Sequence, residues 1–302
     1  MWAAACGAAL TLAAGCGGPG AEPSTTTPPS STSAPADLRA VIRADLPVVD
    51  GSTSTEPMRW QLLCELAADE VCDVGESVPS SGTHDSFSAL ASRDADVIVV
   101  ARAPSADEVV AAAASGVAME VEAVAWDGFV FIVNASNPVK DLTLDQIRGI
   151  YTGEITNWSQ VGGPDLAIQP YQRDPTSGSQ ELMIQLVMGS LPMIEAPELV
   201  EFSMSGPFEA IARDEAGIAY SVYYYADNDM AFVGQAVEMI SVAGVLPAAE
   251  TIASGDYPLV TEVYAVIRAG AGGSARAFFE WLLTDDGQQA VAATGYVPLR
   301  PS

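Results

Sequence analysis

Residues 124–134 read VAWDGFVFIVN, and the use of this run decides the fold. Its Val, Phe and Ile content favours extended chain. It is longer than an ordinary strand of about five or six residues, and Asp127-Gly128 interrupts it in the middle. Two readings stand level on the residues alone. Asp-Gly is a good turn dipeptide, so the run can fold into a hairpin. Alternatively, one extended segment crosses from one lobe to another, with a return crossing near Tyr257–Glu262. Outward from this run, strand-type stretches (Pro47–Val49, Val97–Ala101, Gly217–Ser221, Val263–Arg268) alternate with helical patterns. Pro57–Ala68 carries Met58, Leu62, Leu63 and Leu66. Thr143–Tyr151 opens on a capping box, Thr143 with Gln146, and Gly153 follows its end. Ser274–Leu283 and Gln288–Thr294 form a C-terminal pair. The alternation predicts an α/β architecture with mainly parallel sheets. Residues 38–302 are many for one core and suit two lobes.

The 302 residues include 39 acidic and 12 basic ones, a formal net charge of −27. Nucleic acid is excluded as an expected partner, because no basic surface is present to displace counterions from phosphates. An anionic membrane surface is excluded for the same reason. Hydrophobic residues make up 49% of the chain, enough for a large core.

Within this acidic chain, three segments share a design that favours anions. Tyr171–Glu181 reads YQRDPTSGSQE: Arg173 stands four residues before Ser177-Gly178-Ser179, which opens an apolar-periodic run. Val49–Pro57 reads VDGSTSTEP, and Ser80–Leu90 reads SSGTHDSFSAL. Each places hydroxyls and unpaired N–H groups at a helix start, where the helix dipole is positive. An arginine adds a planar fork that fits an oxyanion. Singly, such Ser and Thr residues are plain caps; three that converge can replace an anion's hydration shell. Arg102 directly follows the Val97–Ala101 strand, where open α/β sheets bind ligands, and is a second candidate cation. Its alternative role is a salt bridge to Asp107 or Glu108.

Other chemistry is absent. The one lysine, Lys140, follows no glycine-rich phosphate loop, and no Ser-x-x-Lys or Gly-x-Ser-x-Gly motif occurs. One histidine with so few cysteines does not make a zinc site. His84 beside Asp85 reads as a surface or cap residue rather than part of a triad. No catalytic residue, metal or cofactor is expected.

The N-terminal run Trp2–Ala14 is uncharged and too short to span a bilayer, so it reads as an export signal over residues 1–15. Leu12-Ala13-Ala14-Gly15-Cys16 resembles a bacterial lipobox, which makes Cys16 the expected lipidation site. Residues 16–37, rich in Pro, Ser and Thr, are expected to be a disordered tether. Cys64 and Cys72, eight apart in an exported domain, suggest a local disulfide; two buried thiols are the alternative.

Together these motifs resemble the phosphate-binding, substrate-binding lipoproteins of bacterial ABC transporters, across nearly all of Pro47–Leu299. DGSTSTEP resembles the family's first anion loop, and DVIVVARAPSADE the strand and loop that follow the second. LTLDQIRGIYTGEITNWSQVGGPDL (Leu142–Leu166) is the most specific match. QRDPTSGSQE resembles the third anion loop. GIAYSVYYYA and FFEWLLTDDGQQAVAATGYVPL resemble a later strand and the C-terminal helices. The resemblance implies a two-lobed periplasmic-binding-protein-like (Venus flytrap) fold of the type 2 superfamily. Each lobe is then a mostly parallel sheet flanked by helices, with a hinge of two crossing strands. Lobe I is expected over 38–126 and 258–302, and lobe II over 127–257. The implied function is non-catalytic capture of inorganic phosphate, or a similar oxyanion, for import by membrane permease subunits. The implied phosphate site is Ser54 and Thr55; Ser81 and Thr83; and Arg173, Ser177, Gly178 and Ser179, with Arg102 as the added cation. Well-studied phosphate binders carry an aspartate about where Arg102 stands, to accept the proton of hydrogen phosphate. Glu56, Asp85 and Asp174 are the alternative acceptors. The expected protein is an extracytoplasmic, membrane-anchored monomer that touches the membrane only through its lipid. A sensing or adhesion module of the same fold is the alternative, and an extracytoplasmic hydrolase a further one.

Overall fold

The structure, a computed structural model, describes residues 37–67, 72–229 and 234–300. The expected signal, Cys16 and the tether as far as residue 36 lie outside these residues.

Strand β3 (Met119–Asn134) runs unbroken for 16 residues, straight through Asp127-Gly128. The dipeptide is therefore no hairpin. Gly128 serves close packing instead: a Cβ there would stand 2.8 Å from Ile252 Cδ1 and 3.3 Å from Tyr223 Cβ. The first part of β3 pairs antiparallel with β11 (Val260–Arg268), with Met119 opposite Arg268 and Gly128 opposite Val260. The second part pairs antiparallel with β8 (Gly217–Val222), Phe129 opposite Val222. Thus β3 and β11 are the two crossing strands.

The main sheet has the order β1 (Val49–Gly51), β2 (Val97–Val100), β11, β3, β8, β5 (Gln169–Pro170). Strands β9 (Val237–Met239) and β12 (Val297–Pro298) also pair with β3. Outer neighbours β1–β2 and β5–β8 are parallel. So are two small sheets, β4 (Asp141–Leu142) with β10 (Ser241–Val242) and β6 (Gln172–Arg173) with β7 (Val200–Glu201). The architecture is mixed, because the crossing strands bring antiparallel pairing to the centre.

Helices α1 (Leu38–Ala44), α2 (Glu56–Ala67), α3 (Thr83–Ser92) and α4 (Ala106–Ala114) precede β3. Between the crossings come α5 (Leu144–Thr152), α6 (Gly178–Leu182), α7 (Gly206–Arg213), α8 (Tyr223–Asp229) and α9 (Ala249–Ser254), and after them α10 (Gly273–Leu282) and α11 (Asp285–Ala293). A π-helical turn, Met183–Met188, continues α6. Helix α5 has the expected caps: Thr143 Oγ1 accepts from Gln146 N (3.2 Å), Gln146 Oε1 accepts from Thr143 N (2.8 Å), and Gly153 ends the helix at φ 82°. Cys64 near the end of α2 is bonded to Cys72, with Cα atoms 5.3 Å apart.

Buried apolar side chains gather in separate clusters on the two sides of the crossing. One holds Leu62, Val97, Val124, Val263 and Trp281; another holds Phe129, Ile147, Trp158, Leu182 and Tyr257. A smaller cluster around Phe87 and Leu90 lies with the first side. Each fully buried Leu or Phe contributes about 1.5–3 kcal/mol, so each side carries a core of its own. Among the described residues no helix is long and apolar enough to cross a membrane.

Candidate functional site

The first loop leaves β1 at Gly51, where a Cβ would lie 1.9 Å from Val99 O; only glycine lets the loop cross the end of β2 this closely. Ser52 then joins three elements. Its Oγ accepts from Ala101 N (3.1 Å) and shares a 2.8 Å hydrogen bond with Thr83 Oγ1. Ser54 is buried, and its carbonyl accepts from Tyr296 OH (2.6 Å). Thr55, also buried, has its hydroxyl engaged within the protein. Its hydroxyl faces inward, donating toward Val99 O (2.7 Å) and Ser52 O (3.0 Å), and so pins the loop.

Ser81 is likewise engaged within the protein. Its N–H and hydroxyl donate to the two oxygens of buried Asp50, at 2.9 and 2.6 Å. A carboxylate already holds the donors that were assigned to an anion. Gly82, at φ 92°, then turns the chain into α3. Thr83, the first residue of that helix, is buried and faces both other loops: it meets Ser52, and a Cβ on Gly178 would stand 2.6 Å from its Oγ1. Gly178 is thus a glycine because two loops touch there.

In the third loop, Ser177 caps α6 without a side-chain cap bond, and Gly178 and Ser179 form its first turn. Ser179 is buried. Arg173 ends β6 only 4% exposed. Its main-chain N–H donates to Tyr220 OH (3.0 Å) and Gln180 Oε1 (3.3 Å), which fastens β6 to α6. Its guanidinium donates from Nε to Glu201 O (3.1 Å) and from Nη1 to Met204 Sδ (3.4 Å). Among the described residues no carboxylate lies within ion-pair distance of it. Burial lowers its pKa, and the negative ends of Tyr220, Asp174 and Glu201 offset this only partly.

Arg102 differs in that carboxylates of the protein already engage its guanidinium. It too is 4% exposed, but Nη1 and Nη2 donate to Glu108 Oε2 and Oε1, both at 2.8 Å. Nε pairs with Glu181 Oε2, and the guanidinium lies 5.7 Å from the Phe87 ring centre. Burial acts to lower its pKa; the bonds to Glu108 and the charge of Glu181 outweigh this, so the pKa is raised. Glu108 also accepts from Ser105 N (2.8 Å), the return bond of a capping box, and meets His84 Nδ1 at 3.2 Å. Two carboxylates thus neutralise the guanidinium, although its Nε makes an ion-pair contact to Glu181 without a hydrogen bond. Of the other proposed acceptors, Glu56 and Asp85 are exposed, and Asp174 accepts from Thr176 N (2.9 Å) within its own turn.

Sequence reasoning missed Arg59. It is fully buried on the inner face of α2, donating to Val49 O (2.9 Å), Ser52 O (3.1 Å) and Pro79 O. It therefore braces the first two loops from behind, and burial pushes its pKa down to about 10. The signal was present: Arg59 falls in the apolar stripe Met58, Leu62, Leu63, Leu66. Ser52 and Asp50 were missed because their partners come from distant loops. A cavity of about 600 Å³ lies beside the crossing strands, with Trp126, Leu182, Ile252 and Glu262 in its wall. Of the expected anion-loop residues only Arg102 lines it. Among the described residues no group of three His, Cys, Asp or Glu is placed to hold a metal.

The family model described as the PBP superfamily domain matches residues 25–286. The chain belongs to that superfamily. It is 29% identical over 177 residues to the phosphate-binding protein PstS of Bacillus subtilis, which covers 58% of this chain and 56% of that protein. The aligned part is thus little more than half of that relative's length. Over 257 residues it is 26% identical to the phosphate-binding protein PstS of Staphylococcus saprophyticus, covering 83% of this chain and 79% of that protein. In structure it resembles a phosphate ABC transporter substrate-binding protein from Clostridium perfringens: TM-score 0.67, 24% identity, 83% of this chain and 98% of that one. A phosphate transport receptor from Vibrio cholerae gives TM-score 0.63 at 24% identity, over 84% and 99%. These likenesses give the domain the two-lobed periplasmic binding fold.

Proposed function

We propose that this domain captures inorganic phosphate, or a closely similar oxyanion, outside the cytoplasm and hands it to the membrane subunits of an ABC importer without chemical change. One observation carries the reading. Arg173 is a buried guanidinium with no carboxylate partner among the described residues, on the loop whose helix start touches Thr83. An uncompensated buried cation costs several kcal/mol. An anion entering there supplies the missing partner, while the amides of Gly178 and Ser179 add hydrogen-bond donors at a helix start. The phosphate-binding relatives support the same ligand.

The proposed site is narrower than the sequence indicated: Ser54, Thr83, Arg173, Ser177, Gly178 and Ser179, with Ser52, Thr55, Ser81 and Arg59 shaping it from behind. Hydrogen bonds to a charged group contribute about 1.5–3 kcal/mol each. Several of them offset dehydration of the ion and leave micromolar or tighter binding. The proposed lobes are 38–126 with 258–302 and 127–257, a division supported by the separate apolar clusters. Export, lipidation of Cys16 and action as a monomer complete the proposal; a lipid-bearing N-terminal cysteine seen by mass spectrometry of the mature protein checks the anchor.

Calorimetric titration with phosphate, arsenate, sulfate and molybdate at matched ionic strength tests the reading. Saturable phosphate binding at micromolar or lower concentration is expected. Binding of another oxyanion but not phosphate would reassign the ligand, and no binding of any would overturn the reading.

A further inference from the structure

Arg102 is buried between two glutamates from different parts of the fold. Glu108 lies on α4 and, with the β2 end and Phe87, belongs to the first side of the crossing. Glu181 lies on α6, beside Leu182 and Met183, which belong to the core of the other side. Among the ion pairs of the described residues, Arg102–Glu181 is the one that joins the two sides; the others stay within one side.

Charge makes this pair matter. Residues 127–257 hold 18 acidic and four basic residues, and 38–126 with 258–302 hold 19 and eight. Two strongly acidic bodies repel each other, and an anion between them adds to the repulsion. Something must hold them together. The Glu108 fork fixes the Arg102 guanidinium, so little side-chain freedom is lost when Glu181 arrives. Glu181 follows Ser177-Gly178-Ser179 within one helical turn, so its grip acts on the helix whose start faces Thr83.

We propose that Arg102 and Glu181 form an interlobe clasp, which holds the lobes together over the captured anion and sets how long it stays. The clasp rests on the proposed phosphate capture for its effect on release, but its effect on lobe closure does not depend on which ligand binds. Glu181 is the residue to change, because its side chain is 31% exposed and its replacement leaves the Arg102–Glu108 pair intact.

The test uses the purified domain and its Glu181→Gln and Glu181→Lys variants. Phosphate release is followed by stopped-flow competition, and shape by small-angle X-ray scattering with and without phosphate. We expect Glu181→Gln to speed release about fivefold, with the association rate changed less than twofold. Glu181→Lys, which sets a cation against Arg102, should speed release further and enlarge the radius of gyration. Unchanged release with unchanged scattering overturns the clasp. If the unaltered domain binds no phosphate, the capture reading fails and scattering alone decides: an identical radius of gyration for the unaltered domain and Glu181→Lys then overturns the clasp.

Discussion

Arg102 and Arg173 are equally buried, yet the structure treats them in opposite ways. Arg102 lies between Glu108 and Glu181, and its pKa is raised. Among the described residues the Arg173 guanidinium bonds to a carbonyl and a sulfur and to no carboxylate, and its pKa is lowered. The first is already neutralised, so it organises protein. The second has no carboxylate beside it among the described residues, which is what the proposed anion site requires. Exposure does not separate them; the presence of a carboxylate does.

Removing a partner from the neutralised arginine should have the largest effect. Glu108→Ala leaves Arg102 buried with only the half-exposed Glu181, and breaking a buried pair costs about 3–5 kcal/mol. Urea denaturation should show a loss of that order. A loss below about 1 kcal/mol would mean that Arg102 does not depend on its partners.

A mirror case lies in the hinge. Asp127 is a buried carboxylate without a cation: Oδ1 accepts from Gly128 N (2.8 Å) and Tyr224 N (3.1 Å), while Oδ2 has no partner among the described residues. Its charge is felt by the phenols of Tyr223 and Tyr296. Burial pushes its pKa up to about 7, against the opposing pull of those N–H bonds. The folded state therefore binds the proton more tightly than the unfolded chain. This contribution favours the fold below about pH 4 and is lost as pH rises to about 7, with a slope of at most about 1.4 kcal/mol per pH unit. Chemical denaturation across pH should show Asp127→Asn lacking that component; parallel curves for the two proteins would refute it.

For Arg173 the two readouts should separate. Arg173→Ala is expected to weaken phosphate binding more than tenfold, about 1.4 kcal/mol or more. Arg173→Met should leave the domain at least as stable as the unaltered one, because it removes an uncompensated buried charge and orphans no carboxylate. Lost stability with retained affinity would reverse the contrast with Arg102. The smallest effect belongs to Glu181→Gln: a partly exposed pair contributes at most about 1 kcal/mol to stability, so denaturation should barely register what release kinetics show.

Local signals in the sequence carried much of the fold. Thr143, Gln146 and Gly153 cap α5 as their spacing indicates, and the run around Val97–Val100 is a buried strand. The crossing was not local: Asp127-Gly128 suits a turn as well as a tight pass beneath Ile252, and only tertiary packing distinguishes them. The site divides the same way. Helix starts at Gly82 and Ser177 were legible from glycine and hydroxyl residues. The engagement of Ser81 by Asp50, and of Arg102 by Glu181, was not, because each pairing joins segments far apart in the chain.

The most direct measurement is a crystal structure of the domain with arsenate, located by its anomalous signal. The expected result is arsenate in hydrogen-bond contact with the Arg173 guanidinium and the Gly178 and Ser179 amides, with Arg102 still on Glu108. Arsenate bound to Arg102, or a bound ion out of reach of Arg173, would contradict it.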